Sequence, residues 1–218
     1  MGRQLRLDLQ SAIPQTRDDF VVSPANERAV AMLDTWPSSQ GGVLALVGPE
    51  GSGKSHLASN WAERTGAEFL QDVAADLADL PSLEGRTVAI DDADRVDDET
   101  LFHLINQAHM PGGGLLLISR RRPAAWSAEL PDLRSRLDAI RVIELGSPDD
   151  VVLWGVLDRF FRQRSITPSP DLLEYLVRRI ERSVPHAREI VARMAADHRP
   201  PTRALARELL EQDGGEND

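Results

Sequence analysis

One run of residues in the first quarter of the chain has the types and spacing needed to hold phosphate groups. Residues 48–55 fit the pattern G-x-x-x-x-G-K-[ST], in which glycines let backbone N–H groups converge on phosphate oxygens. Lys54 would reach the β- and γ-phosphates, and the Ser55 hydroxyl would bind Mg²⁺. The sequence therefore predicts an ATP-type phosphate cradle whose contacts come from Pro49, Gly51, Ser52, Gly53, Lys54 and Ser55.

Paired carboxylates supply the second half of the predicted site. Asp91 and Asp92 follow an apolar strand and should lie at the sheet edge where α/β proteins bind ligands. Asp91 would hold Mg²⁺ through water, and Asp92 would orient or deprotonate an attacking water. The alternative is a solvated acidic turn, because four more acidic residues follow between 94 and 99.

Two further positions are weaker candidates when only the residues are considered. Ser119 ends an apolar run and could sense a γ-phosphate or the attacking water, although a polar residue at a strand end is common. Arg134 and Arg136 could complete a phosphoryl-transfer site in a neighbouring molecule. Without further context, surface salt bridges are the simpler interpretation of both arginines.

The elements that must position these residues can be inferred from the hydrophobic pattern. Short apolar runs predict a parallel five-stranded sheet, with a helix over 54–64 and others in the gaps between strands at 43–47, 68–71, 87–90, 115–119 and 141–145. Beyond the last strand, Ser147 is the expected N-cap of a helix with Pro148 at its first position. Ser169 is the expected cap of the next helix, and two more helices are predicted over 185–197 and 202–212.

Composition narrows the class of protein. The 218 residues carry a formal net charge of −10, which argues against a chain that coats nucleic acid unaided. There is no cysteine, no signal segment and no long apolar run, so a cytoplasmic protein without disulfides or membrane insertion is expected.

Taken in their order along the chain, these motifs resemble the AAA+ domain of the bacterial replication initiator DnaA and, more closely, its short relatives of the Hda family. The matching segments extend from Phe20 to about Leu210 and include Phe20–Asn26, Lys54–Leu57, Ile90–Asp92 and Ser135–Leu137. The resemblance implies an AAA+ fold with a helical lid and ATP or ADP as ligand. It also implies that Phe20, Val21, Asn26 and His56 contact the nucleotide and that Arg136 is an arginine finger acting in trans.

The resemblance also gives a meaning to the N-terminal residues. Residues 4–9, Gln-Leu-Arg-Leu-Asp-Leu, are similar to the peptide by which Hda-like proteins bind the sliding clamp of DNA polymerase. Gln4, Leu5, Leu7 and Leu9 are its expected contacts, although alternating leucines also describe a half-buried strand. The expected organisation is a clamp-binding peptide over 1–12, an AAA+ domain over 13–146, a lid over 147–212 and a disordered tail over 213–218. Neither the initiator's long N-terminal module nor its DNA-binding domain is expected.

The chain departs from the family pattern at two places. Arg120 stands where relatives have an acidic or other polar residue, so Ser119 and Arg120 are both candidates for the first sensor. The lid segment 184–189 lacks the initiator's Gly-x-x-Arg-Glu-Leu form. Arg188 is the candidate sensor arginine there, and Arg182 is its substitute.

The resemblance implies a regulator that, bound to the clamp, stimulates hydrolysis of ATP on DnaA and so prevents replication from restarting. Its own ATPase activity would be weak, stable direct binding to nucleic acid is not expected, and self-association is left open. Two alternatives remain at this point. One is a self-sufficient ATPase of the helicase-loader type, and the other is a nucleotide-gated clamp adaptor.

Overall fold

The computed structural model describes residues 20–36, 41–71 and 83–215. Within these residues, an α/β body ends at residue 144 and a helical body, called the lid below, begins at residue 150. The predicted clamp-binding peptide, with Gln4, Leu5, Leu7 and Leu9, lies outside the described residues.

The sheet of the α/β body is the feature that places the predicted site. Its five strands are all parallel and lie in the order β2-β3-β4-β1-β5. This confirms the predicted parallel five-stranded sheet, with strand ends within one residue of those expected. The strands are β1 (Val43–Val47), β2 (Glu68–Leu70), β3 (Thr87–Ile90), β4 (Gly114–Ser119) and β5 (Arg141–Glu144).

Helices cover both faces of the sheet. Leu44 and Leu46 of β1 pack on the face that carries α1 (Glu27–Asp34) and α2 (Lys54–Thr65). Ala45 and Val47 pack on the opposite face, which carries α3 (Asp98–Ala108) and α4 (Pro131–Ala139). Because successive strand residues are buried on opposite sides, the central strands read as continuous apolar runs in the sequence.

Four helices with a core of their own form the lid: α5 (Asp150–Arg162), α6 (Pro170–Val177), α7 (Val184–Ala196) and α8 (Arg203–Gly215). The α8 helix continues to Gly215, so the first three residues of the segment predicted as a disordered tail are helical. None of the described helices is both long enough and apolar enough to cross a membrane.

The start of the lid corrects one prediction. Ser147 is not the N-cap of α5, which begins at Asp150 and is capped by Asp149. The Asp149 carboxylate accepts a hydrogen bond from the Val152 N–H at 2.9 Å, and serine and aspartate are equally good caps on chemical grounds. The predicted Ser169 cap of α6 is confirmed, since its hydroxyl accepts a hydrogen bond from Leu172 N–H at 3.3 Å.

Candidate nucleotide-binding site

The glycine-rich loop lies at the carboxyl edge of the sheet, between β1 and α2. Val47, the last residue of β1, pairs with Ser119 of β4 on one side and Glu144 of β5 on the other. Segments that leave β4 and β5 therefore flank the loop. This edge is where parallel α/β sheets bind their ligands.

Two glycines give the loop its shape. Gly51 and Gly53 have φ values of +74° and +92°, in the left-handed region that other residues seldom occupy. A Cβ on Gly51 would also overlap the Ser183 hydroxyl, because the lid approaches the loop closely there. Gly53 is the N-cap of α2 and has no capping side chain, so the first N–H groups of this helix remain for an anion.

Lys54 is oriented along the loop. Its side chain is almost completely buried, with 8% exposure, and Nζ donates a hydrogen bond to the Pro49 carbonyl oxygen at 2.7 Å. Burial lowers the pKa of Lys54, the neighbouring charge of Arg120 acts in the same direction, and Asp91 and Asp92 oppose both. A buried ammonium group attracts an anion strongly because little water screens it.

The two carboxylates after β3 lie close enough to Lys54 to act on its charge, although β4 lies between β3 and β1 in the sheet. Asp92 has φ +46°, which is unusual for a residue other than glycine, and its N–H donates to Asp91 Oδ1 at 3.0 Å. Arg95 lies 3.3 Å from Asp92 Oδ2 and is its ion-pair partner. Unusual backbone of this kind clusters at functional sites, where the surrounding structure holds a side chain in one direction.

The residues present fit a nucleotide phosphate and Mg²⁺. The buried Ser52 Oγ has no hydrogen-bond partner in the described part of the chain, although a buried hydroxyl normally has one. Ser55, at the start of α2, is exposed at the same end of the loop. Its hydroxyl and the Asp91 carboxylate are hard oxygen donors of the kind that Mg²⁺ prefers.

An apolar cleft extends from the loop to the lid. Seven of the residues predicted to contact nucleotide line it together: Phe20, Val21, Asn26, Ser52, Gly53, His56 and Arg188. The Phe20 and His56 rings are stacked with centroids 5.6 Å apart. The Asn26 side chain accepts from Ser23 N–H and donates to the Val21 carbonyl, each at 2.9 Å, and so fixes the segment that carries Phe20 and Val21.

The lid contributes cleft residues that sequence reasoning missed. They include Val152, Val156 and Phe160 of α5 and Val184 at the start of α7. The first three also belong to the hydrophobic core of the lid. The Val184 N–H donates to the Gly51 carbonyl at 3.0 Å, so the lid is bonded directly to the phosphate loop.

The sensor candidates occupy different surroundings. The Ser119 side chain has 1% exposure, and its hydroxyl donates to the Arg121 carbonyl at 2.6 Å. Arg188 lines the cleft, with its guanidinium carbon 5.2 Å from the centre of the Phe160 ring. Arg182 instead forms an ion pair with Asp150 at 2.6 Å. Of the two candidate sensor arginines in the lid, Arg188 is therefore the one that lines the cleft.

Arg136 does not line the cleft. It lies on α4, where Nη1 donates to Asn106 Oδ1 at 2.7 Å and Nη2 lies 3.3 Å from Asp132 Oδ2. Its guanidinium also lies over the Phe102 ring, 4.6 Å from the centroid. Arg134, on the same helix, donates to the Ala128 carbonyl instead. Three contacts thus fix the direction of the Arg136 side chain, which keeps 34% exposure.

A parallel five-stranded sheet with a phosphate loop after β1, an acidic end to β3 and a helical lid defines an AAA+ P-loop NTPase fold. No protein-family model matches the chain. The sequence is 27% identical over 231 residues to the chromosomal replication initiator protein DnaA of Thermomicrobium roseum. The match covers 90% of this chain and 49% of that protein, so the chain spans about half the length of this relative. An uncharacterized protein of Haemophilus influenzae is 28% identical over 203 residues, which cover 84% of this chain and 86% of that protein.

Solved structures agree on the fold. Domain III of Thermotoga maritima DnaA superimposes with a TM-score of 0.75 at 19% identity, over 91% of this chain and 96% of that one. AMPPCP-bound DnaA from Aquifex aeolicus superimposes with a TM-score of 0.71 at 16% identity, over 92% of this chain and 71% of that one. The Thermotoga maritima RuvB Holliday junction branch migration motor superimposes with a TM-score of 0.68 at 18% identity, over 91% of this chain and 72% of that one. The sequence similarity relates the chain to DnaA, and the structures at this low identity establish the AAA+ fold.

Proposed function

We propose that the chain is a nucleotide-binding regulator of replication initiation that stimulates hydrolysis of ATP on DnaA while bound to the sliding clamp. The observation that carries this proposal is the placement of Arg136. A partly exposed arginine is held in one direction by Phe102, Asn106 and Asp132, away from the chain's own cleft. Such a cation suits a phosphoryl-transfer site completed by a second molecule.

The cleft binds ATP or ADP in this proposal. Phe20, Val21 and His56 provide apolar and aromatic surface for the base, and Lys54 and Ser52 hold phosphate oxygens. Ser55 and Asp91 hold Mg²⁺, which neutralises phosphate charge when it is bound. Arg188 and Val184 belong to the lid, so a ligand in the cleft contacts both bodies at once. The nucleotide thereby sets the orientation of the lid rather than serving as the main substrate.

The partners are the finer part of the proposal. Gln4, Leu5, Leu7 and Leu9 would enter the groove of the sliding clamp as an extended peptide in the cytoplasm. Arg136 would then approach ATP held by DnaA and stabilise charge on the transferring phosphoryl group. Similarity in sequence to DnaA supports this pairing, because related AAA+ domains can present matching surfaces to one another.

The test is hydrolysis of ATP by initiator loaded with labelled ATP, measured with this chain in the presence and absence of DNA-loaded clamp. Stimulation is expected only when chain and clamp are both present, and Arg136→Ala should abolish it. Arg134→Ala is the matched control, since it removes the same charge from the same helix but leaves the contacts of Arg136 in place. Equal stimulation by the Arg136→Ala variant would overturn the proposal.

A self-sufficient ATPase is the rival, favoured by the intact pair of Asp91 and Asp92 beside the cradle. This rival predicts rapid turnover by the chain alone that is lost in Asp92→Asn. The proposed regulator predicts slow turnover alone and clamp-dependent stimulation of DnaA that Asp92→Asn leaves intact, because Asp92 serves only the chain's own site.

A further inference from the structure

Three exposed apolar side chains, called the apolar patch below, belong to the first turns of α5 and to the segment before α1. They are Val22, Val151 and Trp154, with 53%, 55% and 37% exposure. Five large apolar side chains are exposed in the described part of the chain, and these are three of them. Val151 and Trp154 are three residues apart on α5, so they lie on the same face of that helix.

Contacts on either side of Val22 place it beside this face of α5. Val21 lies against Gly155, since a Cβ at Gly155 would be 2.6 Å from Val21 Cγ2. On the other side of Val22, the Ser23 hydroxyl is hydrogen-bonded to the Asp149 carboxylate. The segment therefore runs along α5 back to the cap of the helix. Val22 lies between the two contacts and completes the apolar patch with the two side chains of α5.

The position of the patch indicates what covers it. Exposed apolar residues that lie together mark interaction sites, whereas single ones are normal on a protein surface. The described part of the chain begins at residue 20, two residues before Val22. The N-terminal residues are therefore attached to the molecule beside the patch.

The N-terminal residues also contain the side chains needed to cover an apolar surface. Leu5, Leu7 and Leu9 alternate with polar residues, so an extended backbone would present all three on one side. The chain between Leu9 and residue 20 can span up to about 36 Å, which is enough to turn back onto the patch. Attachment through such a linker gives the leucines an effective concentration of about millimolar. A contact too weak for separate molecules is populated at that concentration.

We infer that the apolar patch is a docking surface for residues 4–9 of the same chain. These residues include the leucines proposed to enter the sliding clamp, so the consequence for clamp binding rests on the proposed function. One segment cannot occupy both surfaces at once. Docking therefore lowers the apparent affinity for the clamp in proportion to the fraction of molecules whose segment is free.

The first test asks whether the segment contacts Trp154 in the full chain. The chain has no cysteine, so Gln10→Cys provides a single attachment point for bimane, a label whose fluorescence is quenched by contact with tryptophan. Trp154→Phe keeps an apolar side chain but removes the quencher. It should raise the fluorescence about fivefold for a segment that is docked about four fifths of the time. Trp126→Phe is the matched control, because Trp126 lies on the α/β body, where Nε1 donates to the Arg121 carbonyl.

The second test is affinity for the sliding clamp, measured by calorimetric titration of the full chain. Val151→Ser combined with Trp154→Ser should strengthen clamp binding about fivefold, because the same docked fraction is released. Both side chains are exposed, so the fold should tolerate these changes. Met110→Ser is the matched control and should leave the affinity unchanged. It removes a side chain with 60% exposure from the turn before β4.

The outcomes separate this inference from the proposed function. Equal fluorescence in Trp154→Phe and Trp126→Phe would overturn the docking surface. Quenching that disappears on dilution would also overturn it, because the covering segment would then belong to a second copy. Clamp affinity that is equal in the patch variant and in Met110→Ser would overturn the competition with the clamp. Quenching by Trp154 without clamp binding by any variant would support docking and overturn the clamp-binding part of the proposed function.

Discussion

At the scale of single residues, Gly51 meets two separate demands. Its φ of +74° suits glycine, and the space where a side chain would begin is filled by Ser183 of the lid. The Gly51 carbonyl accepts the hydrogen bond from Val184 N–H at 3.0 Å. A change at this position therefore affects the loop backbone and the docking of the lid together.

We predict that Gly51→Ala lowers the free energy of unfolding by about 2 to 4 kcal/mol, because left-handed strain and overpacking against Ser183 add. Gly66→Ala is the matched control: Gly66 has φ +72°, but a Cβ there would meet nothing within 4 Å. Only the backbone strain of about 1 kcal/mol should appear in that variant. Urea denaturation measures the free energy of unfolding of both variants. Equal losses in the two would show that Ser183 moves aside freely.

The same scale shows which site residues could be recognised from the sequence. The positions of Lys54, Ser55 and Asp91 at the carboxyl edge of the sheet could be recognised, because the fixed spacing of the motif and the preceding strands set them, and the roles of these residues stay predictions. The hydrogen bond of Ser119 to Arg121 and the pairing of Arg120 with Glu50 could not. Both depend on side-chain directions that several rotamers allow, and spacing does not select among rotamers.

At the scale of elements, Asp149 connects the first turn of α5 to the segment before α1. Burial alone would raise the pKa of this carboxyl, but hydrogen bonds from Val152 N–H, the Ser23 hydroxyl and the backbone of Val151 and Ala25 lower it overall. The folded state therefore holds the ionised form more strongly than the unfolded chain does. Its stabilising contribution is present above the unfolded pKa, near 4, and is lost as the pH falls through the lower folded pKa.

We predict that Asp149→Asn lowers the free energy of unfolding by about 1 kcal/mol at neutral pH, because asparagine can still cap a helix but loses the charged hydrogen bonds. The difference from the unaltered chain should shrink as the pH falls below about 4, because the carboxyl then becomes protonated in the folded state as well. Thermal unfolding of both proteins at neutral pH and at several pH values below about 4 measures this difference. Ser169→Ala, which removes the uncharged cap of α6, should give a loss that does not depend on pH. A constant difference for Asp149→Asn would contradict the assignment.

Elements were easier to predict from the sequence than their contacts. Apolar runs fixed the five strands to within one residue, because both faces of the sheet are buried. The cap of α5 was misplaced because Ser147 and Asp149 are both suitable, and the choice depends on hydrogen bonds from Ser23 and Ala25, more than 120 residues earlier. A local pattern carries no information about partners so distant in the chain.

At the scale of the whole molecule, the cleft exists because lid and α/β body touch at several separate places. Val184 bonds to Gly51, Asp149 accepts from Ser23, and Val21 packs against Gly155. The first contact lies at the phosphate loop and the other two lie at the segment predicted to contact the base. A ligand between them therefore responds to any change in the angle of the lid.

Gly155 of α5 offers a test of how ligand binding depends on the angle of the lid. A Cβ at this position would lie 2.6 Å from Val21 Cγ2 and 3.1 Å from Cγ1, while alanine itself favours the helix. Because a β-branched side chain cannot easily turn away, Gly155→Ala should push the lid from the segment that carries Val21. Overpacking of this kind should weaken ADP binding about tenfold, measured by calorimetry.

Gly146→Ala is the control for Gly155→Ala, because Gly146 also lines the cleft but a Cβ there would meet nothing within 4 Å. Its affinity for ADP should equal that of the unaltered chain. Val21→Ala alone measures the loss of the apolar contact that Val21 gives the base. In that background, Gly155→Ala should weaken ADP binding little further, since both overlapping methyl groups are gone and the remaining Cβ contact at 3.4 Å is ordinary. If Gly155→Ala weakens binding as much in the Val21→Ala background as in the unaltered chain, the clash with Val21 does not cause the loss, and the cleft is instead set within each body separately.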